Sequence, residues 1–208
     1  MPETLTKQEV EKGQDPSVTK QYDDSVSLDE KFEDIKSSLT TGYEHNGQLT
    51  NNQPVARAMA VAKRSGPDFL FLSNRDSQKF DDLESNKVAT IYFHNSNNQD
   101  WISVTGETAK TSNDDPRIKE IWSQGTRAWF GDLKDGVHTG GPEDPRMKLI
   151  EIKAKFISYW KHDVGALGFM GEIGTAIVTG GVANTGTLRQ MKEDEIEQAR
   201  SKHSSMTS

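Results

Sequence analysis

VARAMAVAKRSGPDFLFLSNRDSQKF, residues 55–80, is the stretch on which the fold turns. Its first part alternates Ala56, Ala58, Ala60 and Ala62 with Val55, Arg57, Met59 and Val61, the period of two that marks a strand. One face of that strand is very small, so a bulky group can approach its backbone. Gly66-Pro67-Asp68 supplies a hairpin-like turn, and the run FLFLS at residues 69–73 returns as a second strand. The apolar run stops at a cluster of hydroxyls, amides and cations. An amphipathic segment carrying Phe80 and Leu83 then predicts a short helix.

Working toward the N-terminus, Ser27-Leu28-Asp29-Glu30 has the capping-box spacing of a helix start. Leu28, Phe32, Ile35 and Leu39 follow at helical intervals. Gly42 and Asn46-Gly47 predict a turn before the sheet region. Residues 1–26 are polar and aperiodic, and are read as a mobile arm. Toward the C-terminus, residues 87–94 and 100–110 have the β-branched and aromatic content of paired strands. Asp115-Pro116 predicts a helix with Ile118, Ile121 and Trp122 on its apolar side. Residues 125–146 form a long loop rich in Gly, Pro and Asp, of the kind that often carries function.

Residues 147–160 alternate again, with Ile150, Ile152, Ala154, Phe156 and Trp160 on one side and Glu151, Lys153 and Lys155 on the other. The Gly-rich residues 165–181 have no clear assignment, and Thr187-Leu188-Arg189-Gln190 is read as opening a last charged helix. Many strands with few helices between them predict a mainly β (α+β) fold, a small barrel of antiparallel strands with peripheral helices. A doubly wound fold would need helices that this order does not supply. Three parts are expected: the arm at 1–26, a barrel domain at 27–162 and an extension at 163–208.

The formal net charge of −7 argues against a general nucleic-acid binder, which needs a basic face. It leaves room for a local cationic pocket. The chain has no cysteine, so disulfides, thiol nucleophiles and thiolate metal sites are all excluded. No apolar run approaches the roughly 20 residues needed to cross a bilayer, and the first residues lack a secretory core. A cytoplasmic protein without membrane attachment is expected. The five histidines show no metal-ligand spacing, no G-x-S-x-G occurs, and the glycines at 171, 174, 180 and 181 lack a dinucleotide-binding context.

Ser73, Asn74, Ser77 and Lys79 gather where a strand hands over to a helix. Helix starts expose unpaired amides that accept phosphate, Ser77 can donate a hydroxyl hydrogen bond, and Lys79 adds charge. An ordinary cap followed by a solvated lysine is the other reading of the stretch. Arg57 stands in an Ala-rich strand, where a cation needs solvent or a partner. It is either an edge-strand arginine or a cation aimed at an electron-rich ligand on the small face.

Arg57-Ala58-Met59, Phe71-Leu72-Ser73 with Ser77-x-Lys79, Trp101-x-x-Val104-x-Gly106, Trp122, Trp129-Phe130 and Tyr159-Trp160 follow one order. That order resembles the general stress proteins of the pyridoxamine 5′-phosphate oxidase-like superfamily, FMN-binding split barrels of about six antiparallel strands. The Gly-rich C-terminal segment resembles their fungal blue-light-inducible branch. The resemblance implies a homodimer with FMN at the interface. Arg57, Ala58 and Met59 would line the ring edge, Ser73 and Asn74 would meet the ring or ribityl chain, and Ser77 with Lys79 would hold the phosphate. Trp101 would lie near the phosphate and the dimer contact, while Trp129 and Phe130 of the second subunit would cover the flavin.

The Arg-x-His pattern with which the parent oxidase grips its substrate is absent; Trp160-Lys161-His162-Asp163 stands there instead. Pyridoxamine phosphate oxidation is not expected. A flavin-dependent oxidoreductase using NAD(P)H or another small redox partner, a flavin-binding or buffering protein, and a cofactor-free scaffold stay open. Retention of Arg57, Ser77 and Lys79 speaks against the scaffold.

Overall fold

A computed structural model describes residues 21–39, 43–50, 53–203 and 206–207. Its elements in chain order are α1 (Leu28–Leu39), β1 (Tyr43–Thr50), β2 (Gln53–Ala58), β3 (Lys63–Ser65), β4 (Asp68–Asn74), α2 (Lys79–Ser85), β5 (Val88–His94) and β6 (Trp101–Ala109). There follow α3 (Arg117–Ile121), α4 (Gln124–Phe130), β7 (Met147–His162), α5 (Ala166–Thr179), β8 (Gly186–Met191), α6 (Glu193–Lys202) and β9 (Met206–Thr207). The strands form one sheet in the order β2-β1-β5-β6-β7-β4-β3-β9, with β8 also on β7, and neighbouring strands run antiparallel.

Connectivity forces this sheet to curl. β2 and β3 are joined by residues 59–62 alone, yet six strand-to-strand steps separate them in the sheet. Laid flat, those steps would span roughly 29 Å. The five Cα steps from Ala58 to Lys63 reach at most about 18 Å. The sheet therefore closes on itself as a split barrel, with its seam at residues 59–62. The strand expected to run through Ala62 stops at Ala58 because the chain is crossing that seam. Its alternation survives: Ala58 and Ala60 are exposed, while Met59 and Val61 pack against the core.

β7 is the spine. One edge pairs with β6 throughout; the other pairs first with β4 (Phe69↔Ile152 to Asn74↔Met147) and then with β8 (Ile157↔Met191 to His162↔Gly186). A register shift places Gly106 opposite Ala154 and Thr105 opposite Phe156, leaving Lys155 as the extra residue of a bulge. The uniform alternation expected along this strand is corrected there. Ile150, Ile152 and Ala154 are buried, but beyond the bulge Ile157 and Tyr159 take the core and Phe156 and Trp160 move to the other face. A Cβ on Gly106 would lie 2.3 Å from the Lys153 carbonyl oxygen, so the bulge needs glycine opposite it. The Ala154 backbone groups find partners outside the ladder: its N–H donates to Asp68 Oδ1 (3.0 Å), and its carbonyl accepts from Arg200 Nη2 (3.0 Å). Arg200 also grips Asp68 through Nε and Nη2 (2.8 and 2.7 Å), which fastens α6 to the bulge.

The core inside the curl contains Phe69, Phe71, Ile91, Phe93, Ile102, Val104, Ile152 and Ile157, closed by Phe32 and Ile35 of α1 and Ile196 and Ala199 of α6. Ser27 Oγ accepts the Glu30 N–H (3.2 Å), the cap expected at the start of α1. A smaller cluster of Leu70, Ile118, Ile121, Met147 and Leu149 lies under α3.

Other expectations change. Asn46-Gly47 lies inside β1, paired to β2 on one side and β5 on the other, because two ladders outweigh a local turn preference. Thr187-Leu188-Arg189-Gln190 belongs to β8, and the last helix begins at Glu193. Residues 166–179, unassigned from sequence, form α5. Residues 1–20 and Gly42 lie outside the described residues, as does the Leu39 side chain. Gln21 Nε2 donates to the Ala183 carbonyl (2.9 Å), and Tyr22 bridges to Leu188. Among the described residues no helix is long and apolar enough to cross a membrane, and no group of three or more metal-ligating side chains occurs.

Candidate functional site

The polar loop after β4 is shaped by its own side chains. Asn74 Oδ1 accepts the Asp76 N–H (3.0 Å), an Asx turn that ends the strand. The Asn74 carbonyl accepts the Ser77 N–H (3.0 Å), and Ser77 in turn accepts the Phe80 N–H at its carbonyl (3.0 Å). The Ser77 hydroxyl faces the Lys79 N–H at 3.5 Å. This geometry delivers Lys79 as the first residue of α2. That helix is only seven residues long, too short for its end to offer an anion site of its own.

Three cations stand on the elements around this loop. Lys79 is half-buried; burial, reinforced by the nearby Arg57 guanidinium, holds its ammonium below the ordinary lysine pKa. Arg57, reaching from β2, places Nη2 2.6 Å from Oδ2 of Asp82, a buried carboxylate on α2. Lys148 enters from β7 as the register partner of Ser73, and its Nζ lies 4.5 Å over the Phe80 ring. Neither Lys79 nor Lys148 forms an ion pair among the described residues. Lys148, Asp82 and Phe80 escaped the sequence reading. Lys148 enters the site through the β4–β7 pairing, across 75 residues of chain from Ser73.

The long loop is fastened beside this cradle. The Arg75 N–H donates to the Arg146 carbonyl (2.8 Å). Arg146 Nη1 and Nη2 reach the carbonyls of Phe130 (3.0 Å) and Gly131 (2.9 Å). Its guanidinium also holds Asp144, whose carboxyl is pushed down to about 2, first by that pair and then, against the opposing effect of burial, by the Gly140 and Arg146 amides. Trp122 Nε1 donates to the Gly140 carbonyl (3.0 Å). Phe130 packs on the smaller core, whereas Trp129 is 86% exposed.

The structure thus brings Arg57, Ser73, Asn74, Ser77 and Lys79 to one end of the barrel, with Ala58 and Met59 continuing from Arg57. It does not bring Trp101 there. Trp101 stacks with Tyr92 (6.3 Å) and pairs with Trp160, thirteen residues along β7 from Met147, the partner of Asn74.

Residues 23–184 match the family described as "Pyridoxamine 5'-phosphate oxidase like". The chain belongs to that family. Within it, the chain is 35% identical over 197 residues to protein bli-3 of Neurospora crassa, covering 91% of this chain and 92% of that one. The fold is shared with a protein related to general stress protein 26 of Bacillus subtilis from Clostridium acetobutylicum (TM-score 0.57, 16% identity, 82% of this chain and 99% of that one). It is also shared with a putative general stress protein 26 from Jannaschia (TM-score 0.56, 16% identity, 79% and 98%). The match takes in the C-terminal side of this pyridoxamine 5′-phosphate oxidase-like chain up to residue 184. Trp160 covers Gly186 of β8, where an added Cβ would lie 2.6 Å from the ring, and the His162 ring meets Phe169 of α5 at 5.8 Å.

Proposed function

We propose that this chain binds FMN in a homodimer and acts as a flavin-dependent oxidoreductase. One observation carries the reading: Lys79, half-buried beside Arg57 and without an ion-pair partner among the described residues, follows Ser77 on the polar loop that leaves β4. A desolvated lysine next to a second cation is stabilised by an anion, and a phosphate dianion with hydroxyl donors around it is the natural one. Membership of the pyridoxamine 5′-phosphate oxidase-like family supports a flavin monophosphate as its bearer.

Ser77, Lys79 and Lys148 would hold the phosphate, Ser73 and Asn74 the ring or ribityl side, and Arg57 with Ala58 and Met59 the ring edge. FMN, when bound, supplies the one- or two-electron chemistry; the protein orients the ring and sets its charge environment. The exposure of Trp129 supports a cleft completed by a second subunit. The cysteine-free composition suits a cytoplasmic protein, and NAD(P)H or another small donor would supply the electrons. A second reading, a flavin-buffering protein, is favoured by one feature: the buried carboxylate of the cradle, Asp82, is held by Arg57 and thus poorly placed to serve as a general base.

Lys79→Ala tests the binding step. FMN affinity is expected to fall roughly 10- to 100-fold, the worth of one charge-assisted contact, while riboflavin affinity stays unchanged. Equal losses for both ligands would contradict the phosphate role. Anaerobic reduction of bound FMN by NADH or NADPH, followed by reoxidation with an acceptor, separates oxidoreductase from buffer.

A further inference from the structure

α5 is an exposed apolar helix. Its fourteen residues, ALGFMGEIGTAIVT, carry one charged side chain, Glu172, and that carboxylate is engaged by the Asn184 N–H (3.0 Å). Leu167 is 91% exposed, Met170 68%, Ile177 76%, Val178 87% and Phe169 38%. At about 100° per residue, Leu167, Met170, Gly171, Gly174, Ile177 and Val178 fall in one arc about 120° wide. Phe169, Glu172, Ile173 and Ala176 fall on the other side, which is the side that anchors the helix through His162 and Asn184.

Residues of this size have roughly 150–200 Å² of surface each, so at these exposures the four of the stripe hold on the order of 550 Å², the top of the range for a patch on a monomer. A stable interface takes about 800 Å² from each partner. A stripe of this area is most of one half of an interface.

We infer that α5 packs against α5 of a second copy of this chain. The stripe has large residues at both ends (Leu167 and Met170; Ile177 and Val178) and glycine at the middle. In an antiparallel pair about a twofold axis, Leu167 stands opposite Val178 and Gly171 opposite Gly174, so the two backbones approach where side chains are absent. A Cβ on Gly171 or Gly174 would meet nothing within 4 Å in a single chain, leaving that approach open. Other occupants fit worse. An anionic lipid surface calls for Lys and Arg flanking the apolar stripe, and α5 has none. Residues 1–20 offer only Met1, Leu5, Val10 and Val18 as apolar cover, at spacings of four, five and eight that share no helical face.

The inference does not use the flavin cradle, but it rests on the homodimer of the proposed function. The test is the particle mass by light scattering of the full chain and of Leu167→Glu/Ile177→Glu, a pair exposed enough that charge does not disturb the core. The variant's mass is expected to be half that of the wild type. Because the chain has no cysteine, Gly171→Cys and Gly174→Cys are single-cysteine probes. Mixed and mildly oxidised, they are expected to form disulfide-linked pairs, whereas Lys110→Cys, exposed beyond β6, is not. An unchanged mass, absence of cross-linking, or a monomeric wild type that sediments with phosphatidylcholine vesicles would overturn the inference. Lys79→Ala changes FMN uptake at constant mass, so failure of the flavin reading is separately visible.

Discussion

Two lysines of this protein have both lost much of their water, with opposite consequences. Lys31, 1% exposed on α1, is bonded to Asp24, to Glu195 (2.7 Å) and to the Gln190 carbonyl (3.0 Å). Burial works to lower its pKa, but the two carboxylates more than offset that and leave it raised. Beside it, Asp34 takes Lys161 and Arg189 (both 2.5 Å) and the Tyr159 hydroxyl (3.3 Å), so α1, β7, β8 and α6 are joined through one matched network. At the cradle, burial and Arg57 both push Lys79 down, and no carboxylate answers. A matched ionic cluster holds a fold together, whereas an unmatched one stores an unfavourable charge that a ligand can relieve. Charge balance, more than the mere presence of basic residues, separates the structural network from the proposed binding site.

The contrast can be broken by mutation. Asp34→Ala should produce the largest loss of stability, roughly 3–5 kcal/mol by urea denaturation, because it leaves buried Arg189 with only its longer contact to Asp23 (3.3 Å) and takes the carboxylate from the Tyr159 hydroxyl. FMN uptake per folded molecule should not change. A loss below about 1 kcal/mol would mean that the network is solvated and that the distinction drawn here is wrong.

Lys79→Ala, whose effect on FMN is given above, should leave unfolding free energy within about 0.5 kcal/mol or slightly raised, since it removes an unmatched charge. A clear destabilisation would turn the cradle into a second structural cluster.

Asp144 borders the cradle but is matched by Arg146, so it should behave like the structural network. Its carboxyl titrates at about 2 in the folded chain against 3.8 ordinarily. A depressed carboxyl contributes stability that is fully present above the ordinary value and lost as pH falls from about 4 to about 2. Asp144→Asn should remove on the order of 2 kcal/mol at neutral pH and flatten acid unfolding over that window. The smallest effect is expected from Lys148→Met: about a 3- to 10-fold loss of FMN affinity, because the Phe80 ring already shares its charge. No loss at all would place Lys148 outside the phosphate grip.

Much of the barrel was legible locally. The turn at Gly66-Pro67, the cap at Ser27 and the strand content of residues 87–94 depend on neighbours in sequence, and all stand in the structure. Residues 147–160 show where local reading ends. Alternation identified the strand, but one extra residue at Lys155 reversed which side chains reach the core beyond it, and that bulge is defined only against β6. α5 was missed because glycine every third residue reads as flexibility, although the intervening residues sustain a helix. β8 was misread because Thr187-Leu188-Arg189-Gln190 is not distinctively strand-like alone; pairing with the far half of β7 makes it one.

The amino-acid sequence by itself determined the kind of chemistry present: an acidic, cysteine-free chain with Arg57, Ser77 and Lys79 around an Ala-rich strand and a polar loop. Those are matters of residue type and near neighbours. Tertiary structure alone decided which cations are answered. Asp34 lies 155 residues from Arg189 and Asp82 lies 25 from Arg57, and Lys148 meets Phe80 through a strand pairing. The field at a charge depends on what stands within a few ångströms, and chain separation does not encode that distance until the sheet has curled.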